Sequence, residues 1–312
     1  MQSTRPANSG PSLAVVRQAI ARVRRQELEM MTSIRALITM HSVLTYYILT
    51  FVISWGGGLI VLGPDGVLGI RQPSQAQFLV AILAGIAGPS VAGILLTSLV
   101  DGRMGLHNLR SRLFKWRVGA RWYALALLTG PLVASAALFA LSPTDSAFLP
   151  GIFASDHKMS LLLIGIAVGL GAGFFEELGW TGFAIPRLRL RHGILSTGLI
   201  VGFLWGAWHL LLFSGRGSPS GMPIALYLSV LLFSFLPPFR VLMVWLYDRT
   251  ESLLVVMIMH AGLSATSLIL QPQTGAEVVA YDLVFATALW LVVAVVAAAN
   301  RGQLDSRDSR TC

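Results

Sequence analysis

The sequence predicts an all-α, polytopic membrane protein of about eight transmembrane helices with both termini cytoplasmic. Three observations lead there. Of 312 residues, 55% are hydrophobic and only 12% charged, with mean hydropathy +0.72; soluble domains carry roughly 25% charged residues. Apolar runs of about 20 residues, the length a helix needs to cross a bilayer, recur along the chain. The basic residues gather on alternate connections, as the positive-inside rule expects of a multi-span protein.

The spans follow in order. Residues 43–63 hold TYYILTFVISWGGGLIVL, and residues 77–100 hold QFLVAILAGIAGPSVAGILLTSLV. The third, WYALALLTGPLVASAALFAL (122–141), and the eighth, 280–299, are continuous apolar runs. Between them lie 159–185, 197–213, 223–247 and 252–270, which include polar residues. With the N-terminus inside, twenty of the 23 basic residues fall on the cytoplasmic side, leaving Arg71, Lys158 and Arg216 outside. The domain plan is a basic cytoplasmic arm at 1–35, a membrane domain at 36–300 and a cytoplasmic tail at 301–312. Residues 12–30 read as a basic, weakly amphipathic helix on the membrane surface, as disorder, or as sequence upstream of a true start at Met30 or Met31. The first 30 residues lack the continuous apolar core of a cleaved signal.

The net charge of +9 lines one membrane face, where it orients the protein and attracts anionic lipid headgroups; a nucleic-acid partner is not expected. The single cysteine, Cys312, ends the chain. It excludes a disulfide framework and is not a prenylation box, which needs three residues after it. Arg outnumbers Lys by 21 to 2, a bias suggesting a high-GC bacterial genome and hence a bacterial inner membrane.

Of the acidic residues and histidines, four lie well inside apolar spans: Glu176, Glu177, His209 and His260. Ionisable groups at membrane depth are costly and mark function by default. At 1.5 Å per helical residue, Glu176, His209 and His260 lie about 14, 18 and 12 Å from the cytoplasmic ends of their spans. They are therefore expected to meet at one level, in a cavity opening toward the cytoplasm. Helical i,i+4 spacing puts Trp205 on the face of His209 and Ser264 on the face of His260, so Trp205 and Trp208 are read as cavity walls. Gly165, Gly169 and Gly173, like Gly202 and Gly206, are read as helix-packing surfaces.

Two carboxylates and two imidazoles suit water activation. Desolvation and an adjacent carboxylate tune the pair and poise one as a general base. A histidine aligns the water or protonates the leaving amine, and a histidine or Ser264 stabilises an oxyanion. The reaction class is amide-bond hydrolysis inside the membrane. A second possibility is a divalent metal such as zinc on Glu176, His209 and His260; the cofactor is thus a metal or none.

EELGWTGFAIPRL (176–188), WGAWHLLLF (205–213) and HAGLSAT (260–266), in this order, resemble the CPBP superfamily. That group includes type II CAAX prenyl endopeptidases and bacterial Abi proteins. The resemblance covers roughly residues 40–300. It implies an eight-span helical fold with a cytosol-facing site, Glu176 as the main water-activating residue and Glu177 as its support. It also makes His209 and His260 catalytic or ligand histidines and places Ser264 where the family has Asn. The family's first motif ends in Arg, where this chain has Thr181; a positive partner is then missing, or Arg240, near the Pro237–Pro238 break, supplies it. The expected function is an endopeptidase cutting a peptide or membrane-protein substrate at the cytoplasmic side. The alternatives are a non-proteolytic immunity or scaffolding protein and, with less support, an ion-coupled transporter.

Overall fold

The computed structural model describes residues 13–213, 222–272 and 276–300. The chain divides into two compact units, Met1–Ser42 and Val43–Cys312. In the first, helix α1 (Leu13–Met40) is continuous. It carries an Arg25–Glu29 pair at i,i+4 and exposes Met30, Met31, Ile34 and Leu37. The expected tail at 301–312 lies outside the described residues.

The second unit comprises α2 (Ser42–Val67), α3 (Gln75–Leu113), α4 (Ala120–Leu141), the single turn α5 (Gly151–Ala154), α6 (Lys158–Gly179), the short α7 (Ile185–Arg189), α8 (Ile194–Phe213), α9 (Ile224–Phe233), α10 (Leu236–Thr250), α11 (Leu253–Leu270) and α12 (Ala276–Ala299). Among the described residues, eight helical segments are long and apolar enough to cross a membrane; this is a multi-pass helical membrane protein. Each expected span has its counterpart, with ends differing by several residues.

Small residues set how closely these helices approach. Gly165, Gly169 and Gly173 recur every fourth residue on one face of α6. A methyl group at Gly169 or Gly173 would overlap the carbonyl oxygens of Ala261 or Met257 on α11. On α8, Gly198, Gly202 and Gly206 admit Val241, Pro237 and Leu232, drawing α8 against α9 and α10. Lipid tails are as apolar as the helices, so association relies on such close van der Waals packing. Polar ties add to this packing: Ser54 donates to the Gly85 carbonyl at 2.6 Å, and the Trp55 indole donates to the Trp208 carbonyl at 2.9 Å.

Two interruptions position the polar residues. The sixth span breaks at Ser234–Phe235, and α10 restarts with Pro237 and Pro238 in its first turn, where the missing N–H groups cost nothing. Arg240 follows in the most enclosed part of the bundle. The second interruption lies in the fourth span, where α6 passes into a π-helical turn, Trp180–Ala184, before α7.

Candidate active site

The π turn places its residues one step off the α register, a device often found at functional sites. Its closing bond runs from the Ile185 N–H to the Trp180 carbonyl. Pro186 has no N–H to offer Gly182, whose carbonyl instead accepts from Arg112 Nη2 of α3 at 3.0 Å. Trp180, Thr181, Phe183 and Ala184 are fully buried, and Trp180 packs against Tyr46, Tyr47 and Trp208 at ring separations of 5.7–6.0 Å.

The two adjacent glutamates, both buried, have different surroundings. Glu177 is held from three helices. Arg240 Nη1 donates to its Oε1 at 2.8 Å and its Oε2 at 2.9 Å, His260 Nδ1 lies 2.7 Å from Oε1, and the Thr181 hydroxyl donates to Oε2. Glu176 receives one hydrogen bond, from the Trp205 indole N–H to Oε2 at 2.8 Å. Its Oε1 has no hydrogen-bond partner among the described residues. His260 Nε2 faces Glu176 Oε2 across 3.9 Å, wider than a direct hydrogen bond and a separation at which one water can contact both atoms.

The partners assign the imidazole protons. His209 Nδ1 lies 2.8 Å from the Trp205 carbonyl; a carbonyl only accepts, so Nδ1 carries the hydrogen and a neutral ring leaves Nε2 as an acceptor. The same reasoning applies to His260, whose Nδ1 donates to the Glu177 carboxylate and whose Nε2 faces Glu176. Trp205 is the common wall: its ring lies 5.0 Å from the His260 ring and 5.6 Å from the His209 ring, with the Arg240 guanidinium stacked 4.1 Å above it.

The structure thus brings Glu177 and His260 into direct contact, sets Glu176 Oε2 3.9 Å from His260, and joins both Glu176 and half-buried His209 to Trp205. Ser264 stands one turn beyond His260, half-buried, with no hydrogen bond to the cluster. Glu176, His209 and His260 do not fit the zinc set considered as an alternative. Among the described residues no three His, Cys, Asp or Glu side chains are grouped to hold an ion, and Arg240 sets a fixed positive charge in their midst. Two polar contacts escaped the sequence reading. Trp205, read as a cavity wall, also donates to Glu176; the i,i+4 relation to His209 was its signal. Thr181 binds Glu177, and its only signal was its place four residues on.

A separate cavity of about 970 Å³ is lined by Arg112, Lys115, Arg187, Arg189, Asp101 and Asp248, among others, and by none of the predicted site residues. Here Arg189 pairs with Asp248 at 2.8 Å, Lys115 with Glu251 at 3.0 Å, and Arg187 with Asp101. A cluster of Leu109, Leu178, Leu253 and Met257, with Leu113 packed on it, adjoins both regions: Leu178 follows Glu177 in the chain, while Leu109 and Leu113 flank Arg112.

A family model described as type II CAAX prenyl endopeptidase Rce1-like matches residues 158–266, the stretch from the start of α6 to Thr266 that carries every residue of the cluster. A curated relative, "CAAX prenyl protease 2" of the archaeon Methanococcus maripaludis, is 23% identical over 171 residues. The match takes in 53% of this chain and spans 60% of the relative's length. These two findings make the chain similar to CAAX proteases over the stretch that carries the cluster.

Proposed function

We propose that this protein is an intramembrane endopeptidase that hydrolyses a peptide bond of a membrane-associated substrate at the cytoplasmic side, using water activated by Glu176. The observation that carries the reading is the unequal treatment of the two glutamates. Glu177 has both oxygens engaged by Arg240, His260 and Thr181. Glu176 keeps Oε1 without a hydrogen bond among the described residues, while its Oε2, which accepts from Trp205, lies 3.9 Å from the acceptor Nε2 of His260. A general base must reach the proton it removes, directly or through one water, and of the two only Glu176 has an oxygen left for it.

In this reading a water held between Glu176 and His260 Nε2 attacks the scissile carbonyl, and Glu176 takes its proton. Glu177 anchors His260 in the tautomer that presents Nε2. His209, with its own Nε2 unprotonated, assists in orienting the water or the leaving amine. The matching family model and the name of the archaeal relative support a protease of the CAAX type; leader peptides, bacteriocin-like peptides and membrane regulators are candidate substrates beside a prenylated CAAX peptide.

The test compares membrane and secreted peptides from cells expressing wild type or Glu176→Ala at equal levels, with a farnesylated CAAX-type peptide as a parallel probe for purified protein. New C-termini that appear only with wild type establish the protease and name its substrate. No difference, together with a cellular phenotype that survives the substitution, would sink the proposal in favour of an immunity or scaffolding role.

A further inference from the structure

Arg240 is fully buried, yet among the described residues only its Nη1 has a hydrogen-bond partner. Its Nε and Nη2 are enclosed and donate to no side chain or carbonyl of the described residues. Buried donors left unmatched are expensive and in a native protein call for an explanation. Neutralising Glu177 does not supply one, because Nη1 alone reaches both carboxylate oxygens and a lysine ammonium would serve as well. The remaining donors have a defined place. The guanidinium carbon stacks 4.1 Å from the ring of Trp205, the indole that donates to Glu176. Tyr47, whose hydroxyl is likewise buried and has no hydrogen-bond partner among the described residues, lies within electrostatic reach of the same guanidinium.

We propose that Arg240 is a catalytic residue whose Nε and Nη2 hydrogens bind the oxyanion that forms at the scissile carbonyl, with the Tyr47 hydroxyl as an auxiliary donor. This rests on the hydrolytic reading above and adds to it the group that stabilises the developing negative charge. Ser264, the short hydroxyl in the third motif, has no bond that would aim it there. Arg240 is fixed in advance by its pairing with Glu177 and its stacking on Trp205, and donors that need no reorganisation are the ones that lower a barrier. As the water oxygen bonds to the carbonyl carbon, its proton passes to Glu176 and the carbonyl π pair moves onto oxygen, facing Arg240. When that pair returns, the carbon–nitrogen bond breaks and the amine nitrogen takes the proton from Glu176, leaving a carboxylic acid and an amine.

The experiment uses the purified full-length protein in lipid nanodiscs and the peptide whose cleavage the preceding comparison identifies. Arg240→Lys keeps a cation for Glu177 but loses the fork of donors. The expected result is kcat lowered about 10²- to 10³-fold, as for loss of an oxyanion donor, with KM and melting temperature close to wild type. A kcat equal to wild type, or a loss confined to KM, would overturn the assignment. A second measurement needs no variant. The product peptide bearing the new carboxylate should inhibit wild type more tightly than its C-terminal carboxamide, by about tenfold or more if charge-assisted hydrogen bonds are involved. Equal inhibition overturns the proposal even if Arg240→Lys fails to fold. A wild-type protein that cuts no peptide is a different result, and overturns the hydrolytic reading itself.

Discussion

Glu177 shares its two oxygens among Arg240, His260 and Thr181, while Glu176 receives only the Trp205 N–H. The consequences of substitution should differ accordingly. Glu176→Gln keeps an acceptor for Trp205 and leaves no buried charge alone, so melting in detergent should change little while cleavage falls by about 10²- to 10⁴-fold, the range for a lost general base. Glu177→Ala strands the buried Arg240 cation, and breaking a buried pair this way costs about 3–5 kcal/mol; it should appear first as a lowered melting temperature and reduced yield. Trp205→Phe keeps an aromatic face under Arg240 but removes the donor to Glu176. Hydrogen bonds to charged groups contribute about 1.5–3 kcal/mol, so cleavage should drop roughly 10- to 100-fold at near-normal expression. A Trp205→Phe enzyme as active as wild type would show that this indole only packs. The identity of these residues was legible from the sequence because so few ionisable groups lie inside apolar runs. Their partnerships were not: nothing in a linear pattern says that Glu177, rather than Glu176, would be consumed by an arginine 63 positions away.

At the scale of elements, the site depends on how closely α6 and α11 approach. The glycine ladder of α6 is the reason that Glu177, one turn past Gly173, reaches His260 at hydrogen-bond distance. Gly171 is a built-in comparison, since a Cβ there meets nothing within 4 Å. Gly173→Ala should destabilise by about 1–3 kcal/mol, as overpacking does, and should impair cleavage because it pushes Glu177 from His260. Gly171→Ala should be neutral or stabilising by up to about 1 kcal/mol through helix propensity. Melting curves and cleavage rates of the pair decide it, and equal behaviour would refute the ladder's role. The four-residue spacing of these glycines could be read from the sequence. The π turn could not: the shift from four- to five-residue hydrogen bonding is a compromise among Thr181, Pro186 and Arg112 contacts that only exist once α3 and α6 are packed.

For the molecule as a whole, the distribution of Arg and Lys sets an expected orientation with both termini inside. Cys312, the single cysteine, makes this directly measurable. A membrane-impermeant maleimide should label it in inverted vesicles and not in intact spheroplasts. Labelling from the outside would invert the topology and move the Glu176 site to the other face.

The sequence by itself determined the class of the molecule, the eight apolar segments and the four ionisable residues at depth. These follow from one-dimensional properties: hydropathy over about 20 residues, and the cost of a charge in hydrocarbon. Tertiary structure alone decided which glutamate keeps a free oxygen, that Arg240 stands with Thr181 where the related motif has arginine, and that Ser264 is left outside the hydrogen-bonded cluster. These depend on angles and separations between helices far apart in the chain. Close packing sets them to within a few tenths of an ångström, a precision that composition and spacing do not carry.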